Sequence, residues 1–95
     1  MLGEKVPGST ALIQRFYTVN IAPSGSYLVG GYNSLVYVVP AGQSAISGLY
    51  LSEGGDISTI KASDSRLSVS WDGGMKFISN FPSNVQLRIL VFQLQ

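Results

Sequence analysis

From residue 11 to residue 94 the chain never sustains the i, i+3, i+4 recurrence of a helix face. Instead, about eight short apolar-rich runs are each closed by Gly, Pro, Asn, Asp or Ser. Runs of that length suit strands, whose side chains alternate between two faces, and several of them bury their apolar faces by packing in layers. The sequence therefore predicts an all-β protein, an antiparallel β-sandwich or jelly roll of about eight strands, forming one domain over residues 11–95. Residues 1–10, where Gly3, Pro7 and Gly8 oppose regular structure, are expected to be a lead-in segment.

The individual runs specify faces. In the first, Tyr17, Val19 and Ile21 share one side and Phe16, Thr18 and Asn20 the other. Ala22-Pro23-Ser24-Gly25 closes it as a turn, and Gly30-Gly31 reads as a tight hairpin or a bulge. Leu35–Val39 is apolar without alternation, as in a strand buried on both sides, either in the sandwich or at an oligomer contact. Between Ala45 and Ser52, Leu49 and Leu51 oppose Ile46 and Tyr50, and Gly48 marks a bulge or a close backbone approach. Leu67-Ser68-Val69-Ser70-Trp71 alternates most cleanly, and Asp72-Gly73-Gly74 has the composition of a hairpin turn. In the last run Val85, Leu87, Ile89 and Val91 load one face while Leu90, Phe92 and Leu94 load the other.

That last strand raises the question of what covers it. Ninety-five residues bury only about two-thirds of the unfolded surface, and with no Cys no disulfide offsets the chain entropy. Charged residues make up 12% of the chain, about half the usual share, and hydrophobic ones 45%. So few charges cannot clothe a small domain. Either Ser, Gly, Asn, Gln and Tyr cover it, or one face is buried against another subunit; the second reading is preferred, with Leu90, Phe92 and Leu94 as oligomer-interface residues.

The same inventory narrows the chemistry. A net charge of +1, with Lys5, Arg15, Lys61, Arg66, Lys76 and Arg88 scattered, gives no track for a phosphate backbone, so nucleic acid is not an expected partner. The longest apolar run is far shorter than the roughly 20 residues of a membrane-spanning helix, so no membrane insertion is expected. No signal peptide is read in residues 1–7. Without His or Cys the commonest general base and soft nucleophile are absent, and an enzyme is not expected. Asp56, Asp64 and Asp72 each sit where Asp is simply a good turn former, and the Gly pairs open no phosphate-binding helix. A calcium site at Glu53 and Asp56 lacks the spaced acidic ladder of a dedicated loop. No metal and no cofactor are expected.

Aromatic residues offer the best lead to a ligand. Tyr17, Tyr27, Tyr32, Tyr37, Tyr50 and Trp71 supply ring faces on which sugars stack, and Tyr32-Asn33 with Trp71-Asp72 combine rings and polar groups in turns. These four are the candidate ligand-binding residues. Core or interface packing is the competing explanation for rings on strands, since a Tyr ring can be buried with its hydroxyl wet.

Read together, Asp72-Gly73-Gly74, Met75-Lys76-Phe77-Ile78-Ser79-Asn80 and Val85-Gln86-Leu87-Arg88-Ile89-Leu90-Val91-Phe92 resemble the closing modules of phage tail-fibre, tailspike and appendage proteins, over roughly the last sixty residues. The likeness is one of strand and turn texture. It implies a non-enzymatic homotrimer of small β-sandwiches or jelly rolls, made in the cytoplasm and displayed on a virion. Such a module binds a host surface glycan or protein, or holds three chains in register. Two alternatives are a carbohydrate-binding or adhesin-like module of a secreted bacterial protein, and a purely structural capsid or virion assembly domain.

Overall fold

The computed structural model describes residues 12–30, 33–53 and 55–94, so the expected lead-in over residues 1–10 lies outside the described residues. Eight strands follow in chain order: β1 (Leu12–Ile21), β2 (Ser26–Gly30), β3 (Ser34–Pro40), β4 (Gly48–Glu53), β5 (Asp56–Lys61), β6 (Leu67–Trp71), β7 (Gly74–Ser79) and β8 (Val85–Leu94). They form two antiparallel sheets, β1-β8-β3-β4-β5 and β2-β7-β6, as an all-β sandwich.

The packing follows from the alternation. Val36 and Val38 of β3 and Leu87, Ile89 and Val91 of β8 face inward from the larger sheet, and Leu67, Met75 and Phe77 meet them from the smaller one. The Tyr50 ring bridges the layers, its centroid 6.0 Å from that of Phe77. β8 pairs with β1 along ten residues on one side and with β3 on the other, so the strand with two apolar faces is interior. Buried Ser52 accepts a hydrogen bond from the Ser34 amide at 3.1 Å, which lets a hydroxyl sit in the core without a desolvation cost.

Two local expectations need revision. β2 and β3 are not a hairpin pair: β2 pairs with β7 and β3 with β4 and β8, so the two strands lie in different sheets, and Gly31 itself lies outside the described residues. The reason is that β2 has one apolar face, Tyr27 and Val29 against an exposed Leu28, and suits the margin of the smaller sheet, whereas β3 needs neighbours on both sides. Within one chain β3 is buried on its inner face, and Leu35, Tyr37 and Val39 on its outer face are half-buried. Finally, Ser44–Ile46 forms a 3₁₀ turn and β4 begins at Gly48, because the Pro40–Gln43 turn, with the Gln43 amide donating to the Pro40 carbonyl at 2.9 Å, occupies the preceding residues.

One end of the sandwich is tied by polar side chains. Asn80 Nδ2 donates to the Ser65 carbonyl (3.0 Å) and to Ser68 Oγ (2.8 Å), fastening the β5–β6 crossing to the end of β7. Asp64 accepts from the Arg66 side chain at 3.1 Å and from its amide at 3.0 Å, and these bonds lower the carboxyl from 3.8 to about 2. The folded state thus favours the ionised form; its contribution is complete above about pH 5, well over the unfolded value of 3.8, and is lost as the pH falls towards 2. Melting curves of wild type and Asp64→Asn should run parallel above about pH 5 and converge below it as the wild type loses this contact. A constant offset down to the most acid pH would mean that the pair adds nothing. The effect is small because both groups are solvated.

Candidate functional site

Two regions hold the residues singled out in the sequence. The first is the end opposite the Asp64–Asn80 contacts. Gly30, the last residue of β2, pairs with Gly74, and Trp71, the last of β6, pairs with Met75. The β2–β3 crossing and the β6–β7 turn therefore leave the small sheet at the same end, about two strand spacings or 10 Å apart. Tyr32 lies outside the described residues. Asn33 is exposed and has φ 55°, a left-handed conformation that Asn tolerates better than most residues, and its carbonyl accepts the Leu94 amide at 3.1 Å. That backbone role accounts for an asparagine here without a ligand.

Trp71 is half-buried. Its Nε1 lies 3.7 Å from where a Cβ on Gly55 would stand, so the β4–β5 turn of the larger sheet reaches across to the indole edge. Gly55 holds φ 94°, which a side-chain-bearing residue would adopt only with strain. Asp72 is exposed and forms a loose ion pair with Lys76 at 3.7 Å. The end thus presents part of an indole with Asp72 and Asn33 in separate turns. Among the described residues no group of three or more His, Cys, Asp or Glu side chains comes together as a metal site.

The second region is the outer face of the five-stranded sheet. Register places Phe16 (β1), Leu90 (β8), Tyr37 (β3) and Leu49 (β4) in one row, and Gln14, Phe92, Leu35 and Leu51 in the next. Phe16 is 63% exposed, and Leu94, one row further, is 55% exposed. On β5 Lys61 pairs with Leu49 and Thr59 with Tyr50, and Ile60, in the register shift between these pairs, is 58% exposed. Leu90, Phe92 and Leu94 are therefore part of a face that spans the whole sheet. Lys61 ends the first row as the partner of Leu49, and further charges lie beyond the rows: Arg88 opposite Val39 at one end, Glu53 opposite Asp56 at the other.

The chain matches no protein-family model, no curated protein and no solved structure. Chemistry and geometry alone must carry the functional reading. With strands 4.8 Å apart and about 3.3 Å per residue, the two rows cover roughly 250 Å² in projection, within the size of the largest apolar patch on ordinary soluble domains, a patch that is often functional. Sequence reasoning named three of its members on β8 and read Leu35–Val39 as buried in the sandwich or at an oligomer contact, without joining the two runs into one face. The missing signal was register, since these residues meet only once strands distant in sequence are paired.

Proposed function

We propose that this chain is a non-enzymatic β-sandwich module of a phage tail fibre or related appendage, that it works as a homotrimer, and that its Asn33 and Trp71–Asp72 turns contact a host glycan or surface protein. The observation that carries this reading is the apolar outer face of β1-β8-β3-β4-β5. Water is a poor partner for so many rings and branched aliphatic groups on regular strands, and copies of the chain remove them from it. The low charge of the chain points the same way, because an oligomer needs less polar cover per copy. Support for a ligand at the loop end is the part-exposed Trp71 indole beside exposed Asp72. Virion display and the fibre context rest on the strand and turn texture of the second half.

Sedimentation equilibrium tests the reading. Wild type is expected at three times the 10.1 kDa chain mass at micromolar concentration. Leu90→Lys, which sets a charge between Phe16 and Tyr37, is expected to sediment as a monomer with an unchanged circular dichroism spectrum. A wild type that stays monomeric would remove the proposal's physical support and favour a carbohydrate-binding module acting singly.

A further inference from the structure

β1 is a margin of the larger sheet, and among the described residues it pairs with β8 alone. We infer that its open edge is a pairing surface for the same edge of a second copy, antiparallel about a twofold axis, so that the two larger sheets run on into each other. The contact lies at the side of the sheet rather than on its outer face, and it does not rest on the trimeric reading.

Backbone direction comes first. The Leu94 amide donates to the Asn33 carbonyl at 3.1 Å and the Ala41 amide to the Gln86 carbonyl at 2.9 Å, so the even-numbered residues of β8 turn their backbone groups towards β3. These groups alternate along a strand, and the odd-numbered residues of β8 therefore serve β1, where their partners are odd-numbered too. The amides and carbonyls of Leu12, Gln14, Phe16, Thr18 and Asn20 are left facing the open side.

Small β proteins ordinarily blunt such an edge by making it short, charged, bulged or interrupted by Pro. Three margins of this sandwich follow that rule: β2 and β6 have five residues each, and β5 carries Asp56, Lys61 and a register shift. β1 does not. It has ten residues in unbroken register without Pro or Gly, and none of its five edge-directed residues is charged.

The occupant follows from the order of residues, because β1 fits its own reverse. With Phe16 opposite Phe16 of the second copy, Gln14 meets Thr18 and Leu12 meets Asn20, in pairs that each exchange two hydrogen bonds and leave no edge-directed group over. Arg15 then stands opposite Tyr17, a cation beside a ring, and Ile13 opposite Val19. A slip of two residues one way sets Arg15 against Arg15, a like-charge pair; the opposite slip leaves Leu12 facing Ala22, beyond the end of the strand. One register is thereby selected. It buries backbone more than apolar surface, so the contact is weak and fills only at concentrations well above micromolar.

The chain has no cysteine, so Phe16→Cys introduces its only thiol, on an exposed residue. In the selected register the two thiols sit on residues whose Cα atoms are about 5.5 Å apart, within the reach of a disulfide. In Asn20→Cys, whose residue is also exposed, they are eight residues or about 26 Å apart. At roughly 300 μM in a glutathione redox buffer, Phe16→Cys is expected to form disulfide dimers at least about tenfold faster than Asn20→Cys. Adding Thr18→Pro, which removes an edge-directed amide, should bring the rate down to that of Asn20→Cys with the circular dichroism spectrum unchanged. If that variant does not fold, Gln14→Lys/Thr18→Lys sets lysines opposite each other across the same pairs and should have the same effect. Equal rates for Phe16→Cys and Asn20→Cys overturn the edge pairing and leave the trimeric reading to its own sedimentation test. Fast dimerisation that survives the Thr18 or lysine substitutions but is lost with Leu90→Lys also overturns it, since the copies then meet through the outer face.

Discussion

Phe77→Ala is expected to lower the stability of the protein by about 4 kcal/mol, the upper part of the range for emptying a buried aromatic site. Phe77 is 0% exposed on β7, the middle strand of the smaller sheet, and its ring packs at a tilt against Tyr50 from the opposite layer. Few of its neighbours can move into the space, because Met75, Val36 and Val38 are held on paired strands on either side of the core. A domain of this length has about 5–14 kcal/mol in total, so the variant should be partly unfolded near body temperature. Urea unfolding followed by Trp71 fluorescence measures the difference. A loss below about 1.5 kcal/mol would mean that the layers close over the gap, and that the core is less rigid than its burial indicates.

Gly48→Ala should cost about 3 kcal/mol although it adds one methyl group. That methyl would stand 2.6 Å from Tyr50 Cε2 and 2.8 Å from its hydroxyl. The ring cannot swing aside cheaply. Its hydroxyl accepts the Ser63 amide at 3.0 Å and shares a 2.6 Å hydrogen bond with Ser63 Oγ, and Ser63 Oγ in turn donates to the Leu67 carbonyl at 2.8 Å. Moving Tyr50 would therefore break the polar link between β4 and the start of β6 as well as the contact with Phe77. Thermal unfolding provides the measurement; a variant within about 0.5 kcal/mol of wild type would show that the ring has another place to go.

How far the sequence reached can be read from particular strands. β6 was legible because Leu67 and Val69 alternate with Ser68 and Ser70, and the structure buries Leu67, half-buries Val69 and exposes both serines. The close approach at Gly48 and the hairpin turn at Asp72-Gly73 were legible for the same reason: short-range chemistry demands them, and Gly73 has the positive φ of 71° such a turn needs. Assignment of strands to sheets was not legible. Gly30-Gly31 has the composition of a hairpin, yet β2 and β3 on either side of it lie in different sheets, because partner choice depends on which faces other strands leave open. Of the candidate ligand residues, Asn33, Trp71 and Asp72 were placed at one end only by the pairing of β2, β6 and β7, and the Trp71–Gly55 approach had no sequence signal at all.

The pairing of Leu12 with Leu94 fixes where the backbone enters and leaves the sandwich. Both points lie at the end that carries Asn33, whose carbonyl holds the Leu94 amide. A purification tag, dye or surface anchor joined near either point would crowd the Asn33 turn. Attachment for a binding assay belongs instead at the far end, around residues 82–84, where the exposed β7–β8 connection is remote from both entry and exit.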